Sequence, residues 1–229
     1  MRSTRHGEHL VRLCSLGLIN AYLVREDDGL TLVDTMIPGS AKGILAAAVE
    51  QRAPIRRIVL THVHLDHVGA LDPLADAIDG VEVLVSARDA RPLAGDRSLD
   101  PGEPDAKLRG RDYPTRRTRP TRTLEAGDRI GSLEVHAAPG HTPGQIALLD
   151  TRDRSLIVGD AFSSVGGVAT SAKLHPRFPF PAMATWHRPT ALETARALRT
   201  LDPARMAPGH GGVVEAPAAA MDAAIARGT

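Results

Sequence analysis

The chain has 229 residues, of which 42% are hydrophobic and 24% charged, and its 28 basic and 27 acidic residues leave a formal net charge of +1. This balance predicts a globular protein with a substantial core and excludes the large positive field typical of nucleic-acid-binding proteins. The single cysteine excludes an internal disulfide, and the sequence has no apolar run of membrane-spanning length. We therefore expect one cytoplasmic domain over residues 1–229, without nucleic-acid or membrane partners.

The first half of the chain alternates strand and helix patterns. The predicted order is a strand (16–24), a turn (27–29), a strand (30–35), a helix (38–51), a strand (55–60), a short helix (68–77) and a strand (81–85). The first two strands form a predicted hairpin, because a short Asp-Asp-Gly turn joins them.

Periodicity disappears over residues 87–122, which contain five prolines and seven basic residues between Lys107 and Arg122. We interpret this segment as a long surface loop that could also cover a site. A nucleic-acid contact is less favoured, because only Tyr113 offers a ring for base stacking. Regular patterns then return as predicted strands over 124–130, 133–137, 145–150 and 155–158 and helices over 190–201 and 216–227.

Four polar side chains cluster where the strand over 55–60 ends, namely His62, His64, Asp66 and His67. Residues two apart share a face in extended chain, and a turn into the next helix can direct Asp66 and His67 toward a second point. Histidine is the commonest metal ligand and aspartate is a hard oxygen donor. A single His-x-His pair would equally fit an exposed loop, but the whole cluster favours a divalent ion, with zinc as the first choice.

Three further polar residues occupy the same position at later strand ends. His141 lies between glycines and prolines, Asp160 follows the strand over 155–158, and His210 is flanked by glycines. Each signal is weak by itself, since an isolated aspartate there is more often a helix cap or a turn residue. Loops at strand ends converge in layered α/β folds, so the seven residues together predict two metals with three donors each and one shared carboxylate.

The motifs that carry these residues resemble those of the metallo-β-lactamase fold hydrolases over almost the full chain. The similar segments are residues 20–24, 33–35, 62–67, 140–144, 159–160 and 208–211. The resemblance implies an α/β fold, a four-layer αββα sandwich with a dinuclear site along one edge of its paired sheets.

The same resemblance implies a role for each candidate residue. His62, His64 and His141 would bind the first metal, Asp66, His67 and His210 the second, and Asp160 would bridge both. Asp34 would accept the other N–H of a ligand histidine, although a role in a buried turn fits it equally. We expect two divalent ions, with zinc favoured over iron or manganese, and a small-molecule substrate.

The resemblance also implies hydrolysis of an ester, lactone, thioester or similar bond by metal-activated hydroxide, with Asp66 as the catalytic residue that orients the nucleophile. The alternative is a mononuclear non-haem iron oxidoreductase similar to persulfide dioxygenases, which would leave the second group of donors partly unused. β-Lactam hydrolysis is not expected, because secreted β-lactamases do not use a bridging aspartate such as Asp160. Lactonase relatives use a tyrosine near the metals, and neither Tyr22 nor Tyr113 matches its position.

Aromatic residues are concentrated in one segment, residues 162–187, of a chain in which they make up only 3%. We predict that Phe178, Phe180 and Trp186 form a substrate wall that suits an apolar acyl or ring-bearing substrate. Packing of these rings against the following helix is the alternative.

Overall fold

The computed structural model describes residues 1–108 and 113–228, so the part of the predicted loop over 109–112 lies outside the described residues. Within those ranges the strands form two large sheets and one small sheet. The first large sheet has seven strands in chain order: β1 (Arg2–His6), β2 (Leu10–Ser15), β3 (Ile19–Glu26), β4 (Gly29–Val33), β5 (Ile55–Val59), β6 (Glu82–Ser86) and β7 (Arg122–Leu124).

The second large sheet is built from the other half of the chain. Its strands are β8 (Arg129–Ile130), β9 (Leu133–Ala137), β10 (Ile146–Asp150), β11 (Ser155–Gly159), β14 (Arg205–Pro208) and β15 (Val214–Glu215), in the spatial order β15-β14-β11-β10-β9-β8. The small sheet pairs β12 (Phe162–Ser163) with β13 (Ala169–Thr170).

The described residues form seven helices. They are α1 (Ala41–Glu50), α2 (Leu65–Val68), α3 (Leu71–Ala77), α4 (Ala87–Leu93), α5 (Phe180–Ala184), α6 (Arg188–Thr200) and α7 (Ala218–Gly228). None of them has the length and apolar character needed to span a bilayer, within the described part of the chain.

Three buried clusters show how these elements stack. One cluster joins helices α1, α3 and α4 to the first sheet, a second lies between the two sheets, and a third joins α6 and α7 to the second sheet. Alternate residues of one strand enter different clusters, since Leu23 faces the helices and Tyr22 faces the other sheet. This arrangement confirms the predicted αββα sandwich.

Strand direction determines which strand ends share an edge. Strand β4 is parallel to β5 in the first sheet, and β11 is parallel to β14 in the second. The residues that follow each parallel pair therefore emerge on the same side.

Several predicted elements differ from the observed ones. Leu16 and Gly17 adopt positive φ angles of 53° and 74° and form a turn, so the strand predicted from residue 16 begins at Ile19. The helix predicted over 68–77 is interrupted after Val68 and resumes at Leu71, because the Gly69 N–H donates to Met36 O at 2.6 Å instead of to a carbonyl of the helix. Strand β1 was not predicted, since it is a polar edge strand with an exposed face.

The loop predicted over 87–122 is wrong at both ends. Its first seven residues form α4, whose N-terminus is capped by the Ser86 side chain accepting from the Asp89 N–H, and its last residue starts β7. Pro92 is the residue that concealed the helix from the sequence pattern. It lies in the last turn, where it removes the hydrogen bond that residue 92 would otherwise donate to Arg88 O, and the helix ends one residue later at Leu93.

Candidate metal centre

The seven predicted donors meet at one edge of the sandwich. The turn and short helix after β5 carry His62, His64, Asp66 and His67, the β9–β10 loop carries His141, and Asp160 and His210 follow β11 and β14. Backbone hydrogen bonds hold these segments together. Ile146 N–H donates to Thr61 O at 2.9 Å, and Gly209 N–H donates to Gly159 O at 2.8 Å.

The donor atoms form three overlapping groups within which all ligand atoms lie within 4.8 Å of one another. The groups are His62, His64 and His141; His62, His67 and Asp160; and Asp66, His67 and His210. His141 Nε2 and His210 Nε2 approach the same Asp160 oxygen at 3.4 and 3.2 Å, while the other oxygen is 3.4 Å from His67 Nε2. Asp160 therefore lies between the two outer groups.

Side chains behind the centre set the tautomers of three histidines. Asp34 Oδ2 lies 2.7 Å from His67 Nδ1 and also accepts the Thr61 hydroxyl at 2.8 Å. Because the Thr61 hydrogen points to Asp34, the Thr61 oxygen must accept from His62 Nδ1, which is 3.1 Å away. His62 thus carries its proton on Nδ1 and presents a bare Nε2 to the centre. His67 also directs its Nε2 to the centre; burial opposes its protonation, but the carboxylates of Asp34, Asp160 and Asp66 outweigh burial and raise its pKa well above the usual value, so without metal this nitrogen carries a proton.

His141 is held in the same way by Thr185. The Thr185 hydroxyl donates to main-chain carbonyls, Pro181 O at 2.8 Å or Ser171 O at 3.0 Å, so its oxygen accepts from His141 Nδ1 at 3.0 Å. The free Nε2 of His141 then faces His64 Nδ1 at 2.9 Å.

This donor set fits metal ions. His62 Nε2, His67 Nε2 and Asp160 Oδ1 are buried and make no hydrogen bond within the described residues. Buried polar atoms without partners are costly, and several lone pairs aimed at one another repel unless a cation lies between them. Imidazole nitrogens and carboxylate oxygens are ligands that zinc, iron and manganese accept.

The charges of the centre lead to the same conclusion. Burial lowers the pKa of His62 and His64 well below its usual value and that of His141 to about 4, so these rings are neutral. Burial acts against protonation of His210 too, but the Asp160 and Asp66 carboxylates outweigh it and raise the pKa of His210 to about 10. In the absence of metal, a proton therefore occupies the place where a metal cation would balance the carboxylates.

The family comparison decides what this centre belongs to. The model of the metallo-beta-lactamase superfamily matches residues 15–210, which include all seven donors. This chain belongs to the metallo-β-lactamase superfamily.

Three curated relatives of this superfamily member are informative. The chain is 43% identical over 207 residues to the uncharacterized protein YobT of Bacillus subtilis, covering 90% of this chain and 89% of YobT. It is 28% identical over 216 residues to the probable metallo-hydrolase YflN of the same organism, covering 85% and 81%. It is 32% identical over 145 residues to the hydroxyacylglutathione hydrolase of Anaeromyxobacter dehalogenans, covering 63% of this chain and 46% of that enzyme.

Solved structures agree with the fold. A di-iron-bound form of TTHA1623 superimposes with a TM-score of 0.64 at 26% identity, covering 90% of this chain and 93% of that one. DIM-1 metallo-beta-lactamase superimposes with a TM-score of 0.71 at 17% identity over 99% and 96% of the two chains, which is a likeness of fold alone. Two of the three relatives, YflN and the Anaeromyxobacter dehalogenans enzyme, are named as hydrolases, and the donor groups of this chain fit divalent metal ions, so the oxidoreductase alternative is not favoured.

Within this superfamily member, strand β3 fixes the loop that carries His210. The Asn20 amide donates to Pro208 O at 2.8 Å and Gly211 O at 2.7 Å, and the Tyr22 hydroxyl donates to Pro208 O at 2.6 Å. Gly209 completes the loop, because a Cβ there would lie 2.6 Å from His67 Cε1 and collide with the Asp160 carboxylate. The motif over 20–24 resembles the family, but its contact with the His210 loop is visible only in the fold.

Asp89 is a positioning residue that the sequence pattern did not reveal. It is fully buried at the start of α4, where it accepts from the Thr142 hydroxyl at 2.8 Å and the Gly144 N–H at 2.9 Å. It therefore supports the loop that carries His141. No sequence pattern pointed to Asp89, because it lies in the segment that was predicted to be a loop.

The three aromatic residues predicted to form a substrate wall occupy two different places. Phe178 and Phe180 line a cavity above the donors, whereas Trp186 is buried, is not among the residues that line this cavity, and donates its indole N–H to Ala106 O at 2.7 Å. Trp186 thus attaches the 87–122 segment to the segment that follows β13. Tyr113, which matched no family position, packs edge-on against His64 with 4.6 Å between ring centroids.

Proposed function

We propose that this protein is a dinuclear zinc-dependent hydrolase that cleaves an ester, lactone or thioester bond of a small molecule. The observation that carries the proposal is the convergence of the neutral imidazoles of His62, His64 and His141 with the buried Asp160 carboxylate and the partly exposed Asp66 carboxylate beside an apolar cavity. A single-metal reaction would leave the second group of donors without a purpose. The relatives named as metallo-hydrolases support the same reaction class.

Two divalent ions fit the donor groups. His62, His64 and His141 would hold one, Asp66, His67 and His210 the other, with Asp160 shared. When bound, such ions supply a hydroxide nucleophile at neutral pH and polarise the scissile carbonyl group. Asp34, Thr61 and Thr185 keep the ligand imidazoles in the tautomers that binding requires.

Asp66 is our candidate for the catalytic residue. Its side chain is 33% exposed, whereas the other six donor residues are buried, and it lines the cavity. One of its oxygens, Oδ2, is 3.2 Å from His210 Nε2, which leaves Oδ1 to accept a proton from the nucleophile and pass it to the leaving group.

The proposal is tested by metal content and turnover together. Mass spectrometry of the purified protein should find two zinc ions per chain, and a panel of esters, lactones, thioesters and phosphodiesters should include a cleaved carbonyl substrate. One iron per chain and no hydrolysis would contradict it. Asp66→Asn should lower kcat by a factor of at least about a hundred, whereas Asp27→Asn, in the exposed β3–β4 turn at the far end of β4, should not change it.

A further inference from the structure

The cavity above the metal centre draws its polar lining residues from the metal donors. Its volume is about 610 Å³, within the range of small-molecule sites. Every polar residue that lines it among the described residues belongs to the donor set: His64, Asp66, His141, Asp160 and His210. The other lining residues are all apolar: Leu18, Ile19, Ile37, Leu65, Phe178, Phe180, Pro181, Met183 and Ala184.

The apolar character of the remaining lining residues restricts which chemical groups a substrate can carry away from its reacting bond. The part of a substrate that reacts can meet the metal centre, but any other part meets only apolar residues among the described walls. A carboxylate or ammonium group placed against those walls would lose its water without gaining a partner, which is strongly unfavourable. A hydrocarbon chain in the same place gains free energy from leaving water.

The apolar wall continues from the metal centre to the surface. The Phe178 ring lies 5.3 Å from the His210 ring and 5.5 Å from the Phe180 ring, measured between centroids. Phe178 is 7% exposed, whereas Phe180 and Met183 on α5 are 64% and 56% exposed. Leu18 and Leu65, which line the same cavity, are 39% and 37% exposed. The aromatic pair thus extends from His210 to the surface, and Met183 lines the same cavity on α5.

We infer that the substrate carries an uncharged hydrocarbon acyl chain, which lies along Phe178, Phe180 and Met183 with its carbonyl group at the metal centre. The inference rests on the proposed hydrolytic function and adds the substrate class. It separates this protein from enzymes of anionic thioesters, because a glutathione group carries two carboxylates and the described walls hold no cation to meet them. It also explains why α5 exposes two large apolar side chains beside the opening.

The chain-length dependence of turnover tests the inference. Neutral p-nitrophenyl esters from acetyl to decanoyl should show kcat/KM rising by about two- to fourfold per methylene until the chain passes Phe180. An ester of the same length that ends in a carboxylate should react at least about tenfold more slowly. Phe180→Ser should reduce the decanoyl-to-acetyl ratio, whereas Val49→Ser, which removes an apolar side chain 76% exposed on α1, should leave the ratio unchanged.

A second measurement distinguishes failure of this inference from failure of the hydrolytic function. Methyl ketones have no leaving group, so their binding reports on the cavity alone; 2-decanone should raise the melting temperature of the metal-loaded protein and 2-butanone should not. Ester turnover that is independent of chain length, or faster with the carboxylate-ended esters, would overturn the acyl-chain inference and leave the hydrolase standing. Binding of long ketones without turnover of any carbonyl substrate would overturn the proposed function and support the cavity assignment.

Discussion

Asp34 is a carboxylate behind the donors that orients two of the ligand histidines. It adopts a positive φ of 63° directly after β4, accepts the Thr61 N–H at 2.8 Å, and contacts both the Thr61 hydroxyl and His67 Nδ1. The turn role and the role beside His67, which the sequence left open, are therefore compatible. One residue orients His67 directly and His62 through Thr61.

Asp34→Asn should weaken metal binding by a factor of about 10 to 100, because an amide N–H₂ would face the His67 N–H or the Thr61 hydroxyl in place of an acceptor. Asparagine tolerates the positive φ, so the turn itself should survive. Competition with a chromophoric chelator measures the affinity. Asp79→Asn, an exposed position after α3, is the control, and equal affinities in the two variants would contradict the role assigned to Asp34.

Asp89 should make stability depend on pH. Burial raises the pKa of Asp89 from 3.8 to about 6, although the hydrogen bonds from Thr142 and Gly144 oppose the rise. The folded state therefore binds more protons than the unfolded state between these values. Asp89 therefore contributes roughly 3 kcal/mol to the free energy of unfolding below pH 3.8, and this contribution is lost as the pH rises through 6.

Urea unfolding of metal-free wild type and Asp89→Asn across pH 4–7 isolates this effect. The free energy of unfolding of the wild type should fall relative to that of the variant as the pH rises. A constant difference between the two proteins across the range would show that Asp89 does not titrate there.

At the scale of elements, β3 links the two sheets through its polar side chains. Asn20 and Tyr22 are buried and point their donors at the loop after β14, so the strand of one sheet positions a metal donor of the other. The Ile19–His210 bridge adds a backbone contact at the same place. The second group of donors thus depends on contact between sheets.

Asn20→Ala should lower the free energy of unfolding by about 1–3 kcal/mol, since it removes the donor to Gly211 O and one of two donors to Pro208 O. It should also reduce the metal content toward one ion per chain, because the His210 loop loses its anchor. Tyr22→Phe is the matched comparison: Pro208 O keeps Asn20 as a donor, so metal content should be unchanged. Two tightly bound ions in Asn20→Ala would contradict this link.

At the scale of the whole molecule, bound metal should contribute to stability as well as to catalysis. Ligand binding to the folded state alone stabilises it by about 4 kcal/mol at a concentration a thousandfold above Kd. For a domain of this size, that corresponds to a change in melting temperature on the order of 10 °C. A chelator should lower the melting temperature by this amount and added zinc should restore it. An unchanged melting temperature would contradict a metal link between the segments that carry the donors.

The sequence predicted the elements whose pattern is local. The hairpin of β3 and β4, the strand β5 and helices α1 and α6 were predicted to within a few residues, because hydrophobic period depends only on neighbouring positions. Edge strand β1 and helix α4 were missed because neither has the expected local pattern. Strand β1 has no apolar alternation, and helix α4 contains Pro92.

The sequence by itself determined where the donors lie along the chain, at strand ends, and its motifs indicated the family. Only the tertiary structure decided how they meet. His62 and Asp160 are 98 positions apart in the chain, and their approach depends on the parallel pairs β4–β5 and β11–β14 and on packing between the sheets. The tautomers set by Thr61 and Thr185, the support from Asp89 and the position of Trp186 outside the cavity lining also arise from long-range contacts. A residue pattern cannot contain these contacts, because they exist only after non-local strands have paired.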